Sequence, residues 1–276
     1  MSETGNAVDP VRGTVSTAAT HVAGAMTTLA VVDGRTPNAP GPDPLTVDST
    51  VHPTEGFPVS RELLVTLFGD PFAVMNTVGL VAFALVGSTK AIREDFDLFG
   101  ITIVGLAMAF AGGATRDVLV LRTPLALQSP IEIALGLFGV ALAIALQVVL
   151  AAPDTHPITL VSDAIGLAAF ATAGAIVATE AGVSAFGVVA IATINAVGGG
   201  AFADLLLDRA PFILFEDFYA SCAVLGGLTY VVAGAVGVVG STAAALCAAV
   251  TVATRLAAVT YGWELPTAGE IEPPTR

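Results

Sequence analysis

Gly112-Gly113-Ala114-Thr115-Arg116-Asp117-Val118-Leu119 is echoed 87 residues later by Gly199-Gly200-Ala201-Phe202-Ala203-Asp204-Leu205-Leu206. The echo extends outward without a gap. Upstream, Gly79-Leu80-x-Ala82-Phe83-Ala84-x-x-Gly87 falls on Gly166-Leu167-x-Ala169-Phe170-Ala171-x-x-Gly174, and Phe99-Gly100 falls on Phe186-Gly187. Downstream, Arg122-x-Pro124 falls on Arg209-x-Pro211. Gly and Ala coincide easily in a chain this rich in small residues. Phe, Asp, Arg and Pro in one register do not, so the chain carries a duplicated unit.

The setting of the repeat is a membrane. Of 276 residues, 55% are hydrophobic and only 12% charged, against about 25% charged in soluble proteins. So little charge cannot cover a water-facing surface of this size. Seven apolar runs follow Pro71, at about 72–92, 98–120, 131–151, 158–179, 184–207, 217–239 and 240–261. Each has roughly the 20 residues that a spanning helix needs. The last two are divided only by a Gly-rich turn around Gly237 and Gly240. The expected fold is therefore an all-α membrane protein. Residues 71–157 form a first three-helix repeat, 158–239 a second, and 240–266 a seventh helix. Three is odd, so the second copy must enter the membrane from the opposite side. This predicts an inverted repeat, an arrangement that places a permeation path at the repeat interface.

Residues 1–70 read as an acidic, Pro/Thr-rich tail unable to bury enough apolar area to order itself; 267–276 form a short polar tail. Thr14 to Val32 make a poor signal sequence, with only Arg12 before them and a Thr-rich centre. The formal net charge of −13 excludes a nucleic-acid partner, which needs basic stripes. Acidic excess with a single lysine, Lys90, suggests a host adapted to high salt. Cys222 and Cys247 lie in apolar runs as small buried residues. His21, His52 and His156 are scattered, and no metal-ligand spacing occurs. No nucleotide, nucleophile-elbow or zinc-protease motif is present. The chain is thus expected to be no enzyme and to need no cofactor or metal.

Candidate functional residues follow from what lipid forbids. Gly112 and Gly113, and Gly198, Gly199 and Gly200, fall inside the second and fifth helices. Each glycine costs about 1 kcal/mol against alanine in a helix. Such clusters are expected to break or bend the helix, and freed backbone groups must then line a wet cavity. Arg116, Asp117, Asp204 and Arg255 lie at membrane depth, where a charge costs at least about 2.5–3.5 kcal/mol. They are expected to pair or face water. Ala203 leaves Asp204 without an adjacent cation, and Arg255 is its expected partner. Lys90 and Arg93 close the first helix, where the macrodipole favours cations; they also suit a basic rim. Ser88, Thr89, Thr115, Thr193 and Asn195 are candidate pore linings. Gly79, Phe83 and Gly87 share one helix face, copied by Gly166, Phe170 and Gly174, and are expected to pack helices together. The few Lys and Arg residues weakly favour a cytoplasmic C-terminus.

The doubled pattern of G-L-x-x-F-A-x-x-G, F-G and a Gly cluster leading to Arg-Asp resembles the prokaryotic TRIC-type proteins, relatives of the trimeric intracellular cation channels. Their domain also carries the label of a glycine transporter. Asp217-Phe218-Tyr219-Ala220 is similar to that family's entry to the sixth helix. Arg255-Leu256-Ala257-Ala258 with Trp263-Glu264-Leu265-Pro266 is similar to its close. The first cluster departs by one glycine, at Ala111, and the second by Ala203 in place of arginine. The resemblance implies a homotrimer in lipid, with an hourglass pore for monovalent cations in each subunit and broken second and fifth helices. The expected function is a passive potassium channel in the plasma membrane. The alternatives are a secondary transporter of a small amino acid such as glycine, and a structural membrane protein with no permeation.

Overall fold

In a computed structural model, the described residues are 69–150, 157–214, 218–263 and 265. The two tails, the three histidines and Asp217, Glu264 and Pro266 lie outside them. Seven α-helices occur among the described residues: α1 (Pro71–Arg93), α2 (Leu98–Leu119), α3 (Pro130–Leu150), α4 (Pro157–Glu180), α5 (Ala185–Leu206), α6 (Tyr219–Ala235) and α7 (Ser241–Tyr261). Short 3₁₀ turns, Leu125–Leu127 and Phe212–Leu214, follow α2 and α5. Six helices are long and apolar enough to cross a membrane, and the shorter α6 is apolar throughout. The chain is a multi-pass membrane protein.

Local chemistry sets the helix ends. Asp70 caps α1 through Phe72 N, with Pro71 in the first turn. Asp97 caps α2 through Gly100 N at 2.7 Å. Ser184 caps α5 through Gly187 N at 3.2 Å and occupies the same repeat position as Asp97. In each case a side-chain oxygen takes up an orphan N–H of the first turn. The sixth apolar run is shorter as a helix than its sequence span, ending at Ala235. Gly237 and Gly240 then turn the chain at positive φ, 83° and 65°, which glycine adopts without a Cβ penalty.

α4 and α1 form the centre of the bundle. Of the α4 span, 72% is buried, against 22% for α3. Outer helices instead turn apolar side chains outward, including Phe138 on α3 and Val232 on α6, as a lipid-facing surface requires. The central contact is reciprocal. Phe83 of α1 and Phe170 of α4 meet edge to face, with centroids 5.1 Å apart. A Cβ on Gly79 would lie 2.4 Å from the Phe170 ring, and one on Gly166 would lie 2.3 Å from the Phe83 ring. Each ring therefore seats in the notch left by the other helix's glycine. Gly87 and Gly174 continue these stripes but face different neighbours. Gly87 abuts Met108 and Val104 of α2, and Gly174 abuts Ala192 and Asn195 of α5.

The expected breaks in the second and fifth helices are corrected by the structure. α2 and α5 are continuous through both glycine clusters. The physical reason is an unusually close crossing. A Cβ on Gly112 would lie 2.2 Å from Asn195 O, and a Cβ on Gly199 would lie 1.9 Å from Met108 O. The glycines permit backbone-to-backbone contact between two intact helices, as small residues do in lipid. Packing offsets their low helix propensity. α7 closes the bundle against α6 and α4: Gly226 leaves room for Thr251, whose Oγ1 would sit 2.0 Å from an added Cβ.

Candidate functional site

The repeated sequence builds two cradles, each around a buried aspartate. After α2, Leu121 adopts positive φ (58°), and Arg122 N donates to Asp117 O at 2.8 Å. The chain folds back so that Leu125 N donates to Asp117 Oδ2 at 3.0 Å. After α5, Asp208 adopts positive φ (54°), and Arg209 N donates to Asp204 O at 2.9 Å. Phe212 N then donates to Asp204 Oδ2 at 3.0 Å. The Arg-x-Pro signature lies within this return.

Each aspartate offers its other oxygen to a cation, but the cations differ in origin. Arg116 Nε donates to Asp117 Oδ1 at 2.8 Å, and both side chains are nearly inaccessible, at 2% and 6%. Lys90 Nζ donates to Asp204 Oδ1 at 2.8 Å, reaching from α1 in the other half of the chain. This corrects the expected Asp204–Arg255 pairing. Arg255 instead lies 3.6 Å from Asp163 Oδ2 on α4 and over the Tyr219 ring at 4.5 Å. Lys90 reaches Asp204 because α1 and α5 end at the same end of the bundle. Each cradle cation also covers an aromatic face: Arg116 lies 5.3 Å from the Phe72 centroid, and Lys90 lies 4.5 Å from that of Phe212. Cation–π attraction of this kind adds about 0.5–2 kcal/mol.

A second polar pair stands beside each cradle. Asn76 Nδ2 donates to Glu132 Oε1 and Oε2 at 3.0 and 2.9 Å, joining α1 to α3. Tyr219 OH donates to Asp163 Oδ1 at 2.9 Å, joining α6 to α4. Asn76 and Asp163 occupy equivalent repeat positions, as do Glu132 and Tyr219. Donor and acceptor have changed helices while the link remains. Sequence reasoning missed Asn76, Glu132, Asp163 and the two Phe platforms, and took Tyr219 only as part of a family motif. The register held the signal, as polar positions aligned without being identical.

At the first cradle a cavity of about 450 Å³ opens, lined among others by Phe72, Arg116, Asp117, Arg122, Val177 and Glu180. Arg122 and Glu180 approach to 3.6 Å at its rim. At the other end, Arg209 pairs with Glu94, below the last turn of α1 that holds Arg93. Between the cradles lies the α2–α5 crossing. Gly113 and Gly198 face looser space there than Gly112 and Gly199; a Cβ on Gly113 would meet only Arg116 and Asn195, at 3.8 Å. Gly200 faces Phe212. Asn195 is fully buried and donates to Phe170 O at 2.6 Å, while its Oδ1 has no protein donor. The hydroxyls of Thr115 and Thr193 are engaged by their own helices, donating to Ala111 O and Val189 O at 2.8 Å. Thr115 is exposed, away from the crossing. Ser88 and Thr89 likewise donate to backbone oxygens, of Ile101 and Leu85. Among the described residues, no cluster of three or more His, Cys, Asp or Glu is placed to hold a metal.

Comparison with known proteins gives a consistent picture. The family model described as "Glycine transporter" matches residues 73–148 and again 160–235, in the register of the internal repeat. The UPF0126 membrane protein YvgT of Bacillus subtilis is 32% identical over 198 residues, covering 70% of this chain and 94% of the relative. The UPF0126 inner membrane protein YadS of Escherichia coli is 30% identical over 197 residues, with the same coverage. Among solved structures, a chain described under conductance through TRIC cation channels aligns with a TM-score of 0.65 and 34% identity, over 72% of this chain and 98% of that one. The TRIC trimeric intracellular cation channel orthologue from Rhodobacter sphaeroides aligns at 0.64 and 28%, over 70% and 98%.

Proposed function

Because the chain belongs to the prokaryotic TRIC-type family, we propose that it is a membrane channel passing monovalent cations, potassium foremost, down their gradient. The observation that carries this reading is the pair of aspartate cradles at opposite ends of a glycine crossing. Each sets a buried carboxylate near one end of the crossing, and buried charge in a membrane protein supports an ion path there. The path runs along the α2–α5 crossing, past Gly113, Asn195 and Gly198, within each subunit. Gly112, Gly199 and Gly200 set how closely the helices meet. The close approach of Gly112 to Asn195 and of Gly199 to Met108 closes the crossing, and conduction requires the two helices to part.

The two halves act as an inverted repeat. Lys90 near the end of α1 meets Asp204 near the end of α5, while Arg122 beyond α2 meets Glu180 at the end of α4. These contacts support opposite orientations for α1 and α4. The subunits assemble as a homotrimer in the plasma membrane with the C-terminus in the cytoplasm, the trimer following the similarity to a channel described as trimeric. A glycine transporter is supported by the domain's description alone. Potassium-loaded proteoliposomes separate the two: a channel releases K⁺ at a rate indifferent to glycine, whereas saturable, gradient-coupled glycine uptake would replace this reading with transport.

A further inference from the structure

We infer that Asp204 Oδ1 and the Phe212 ring form a monovalent-cation site, and that the Lys90 ammonium is a built-in, displaceable occupant of it. The inference rests on the channel reading and adds to it a site and a competitor. Both cradles spend one aspartate oxygen on a backbone N–H and give the other to a cation over an aromatic face. In the first, that cation is Arg116, rigid, planar and fixed beside Asp117 on the same helix. In the second, Ala203 takes the place of Arg116, and the cation arrives on the flexible stem of Lys90. Lys90 and its carboxylate are 19% and 5% exposed, against 2% and 6% for the arginine pair. A guanidinium binds in a preorganised fork, whereas an ammonium is a compact point charge.

An ammonium and K⁺ carry the same charge and are of similar size. The position that Lys90 Nζ holds, 2.8 Å from Asp204 Oδ1 and 4.5 Å from the Phe212 centroid, is therefore one that a partly dehydrated K⁺ can take. When Lys90 withdraws, Asp204 retains its link to Phe212 N and Oδ1 is left for the incoming cation. The first cradle has no counterpart to this exchange. The repeat equivalent of Lys90 is Val177, which borders the cavity there. The two mouths of the path thus differ: one carboxylate keeps a fixed partner, whereas the other exchanges its partner for a mobile cation.

Lys90 is the only lysine in the chain, which permits a test on the unaltered protein. Acetylation of its amine is followed by mass spectrometry, in KCl and in choline chloride at equal ionic strength and fixed alkaline pH. Displacement by K⁺ predicts acetylation several-fold faster in KCl; equal rates in the two salts overturn the inference. In bilayers, Lys90→Gln is expected to raise K⁺ conductance several-fold at low K⁺. Adding Ala203→Arg should return it towards the original value by supplying a fixed guanidinium. An unchanged or reduced conductance in assembled Lys90→Gln would equally overturn it. If that variant does not assemble, the acetylation rates decide. K⁺-dependent acetylation without K⁺ current would keep the site and remove the channel; K⁺ current with salt-independent acetylation would do the reverse.

Discussion

Asp204 binds three parts of the protein at once: α5, which carries it, the turn after α5 through Phe212 N, and α1 through Lys90. Removing one member of such a pair leaves the other desolvated and uncompensated. A double-mutant cycle of Lys90→Met and Asp204→Asn, read by thermal unfolding in detergent, should give a coupling of about 0.5–3 kcal/mol. The cycle of Asp204→Asn with Arg255→Gln should be additive, because Arg255 serves Asp163 and Tyr219. Coupling to Arg255 and none to Lys90 would contradict the arrangement. Glycines give a second residue-scale test. Gly112→Ala and Gly199→Ala drive a methyl into the facing helix's carbonyl oxygens, and overpacking of this kind costs about 1–3 kcal/mol or more. Gly113→Ala meets nothing nearer than 3.8 Å and should melt close to the unaltered protein. Equal losses at all three positions would show that crossing distance does not set their effect, and gains at all three would show that helix propensity does.

At the scale of helices, the α1–α4 pair is a lock made twice. Gly79→Ala and Gly166→Ala each push a methyl into a phenylalanine ring fixed by its twin. Each should lower stability by about 1–3 kcal/mol, and the two losses should be similar because the notches are equivalent. A loss at one position only, measured by the same unfolding assay, would show that the contact is not reciprocal in energy. Helix number and extent were legible in the sequence because lipid imposes one simple rule, length without charge, and the runs at α1 to α5 match it to within a few residues. The continuity of α2 and α5 through their glycine clusters was not legible. Glycine lowers helix propensity locally, but a neighbouring backbone that fills the vacated space restores the balance, and composition does not reveal that neighbour. The partner of Asp204 was hidden for a similar reason. Lys90 lies 114 residues away in sequence, at a repeat position where the other copy has Val177, so aligning the halves erased the clue. The cradles themselves were half visible, since the aligned Arg-x-Pro segments mark the return of the chain but not the N–H it delivers.

At the scale of the molecule, charge is rationed by depth. The described spans hold few ionisable groups, and those buried are joined in pairs near the two ends: Arg116 with Asp117, Lys90 with Asp204, Arg255 with Asp163. Between the ends the α2–α5 crossing offers glycine, Asn195 and backbone, with the Arg116 guanidinium at its edge beside Gly113. The central claim is that K⁺ passes along this crossing inside each subunit. The most direct test is single-channel recording in planar bilayers under a KCl gradient, comparing the unaltered chain with Gly113→Leu. An added Cβ at Gly113 meets only side-chain atoms, at 3.8 Å, so the larger leucine should fill the path, and the currents are compared once assembly of the variant has been verified. The account predicts discrete currents reversing near the K⁺ equilibrium potential, lost in the assembled Gly113→Leu protein. Undiminished K⁺ current in that protein would contradict it.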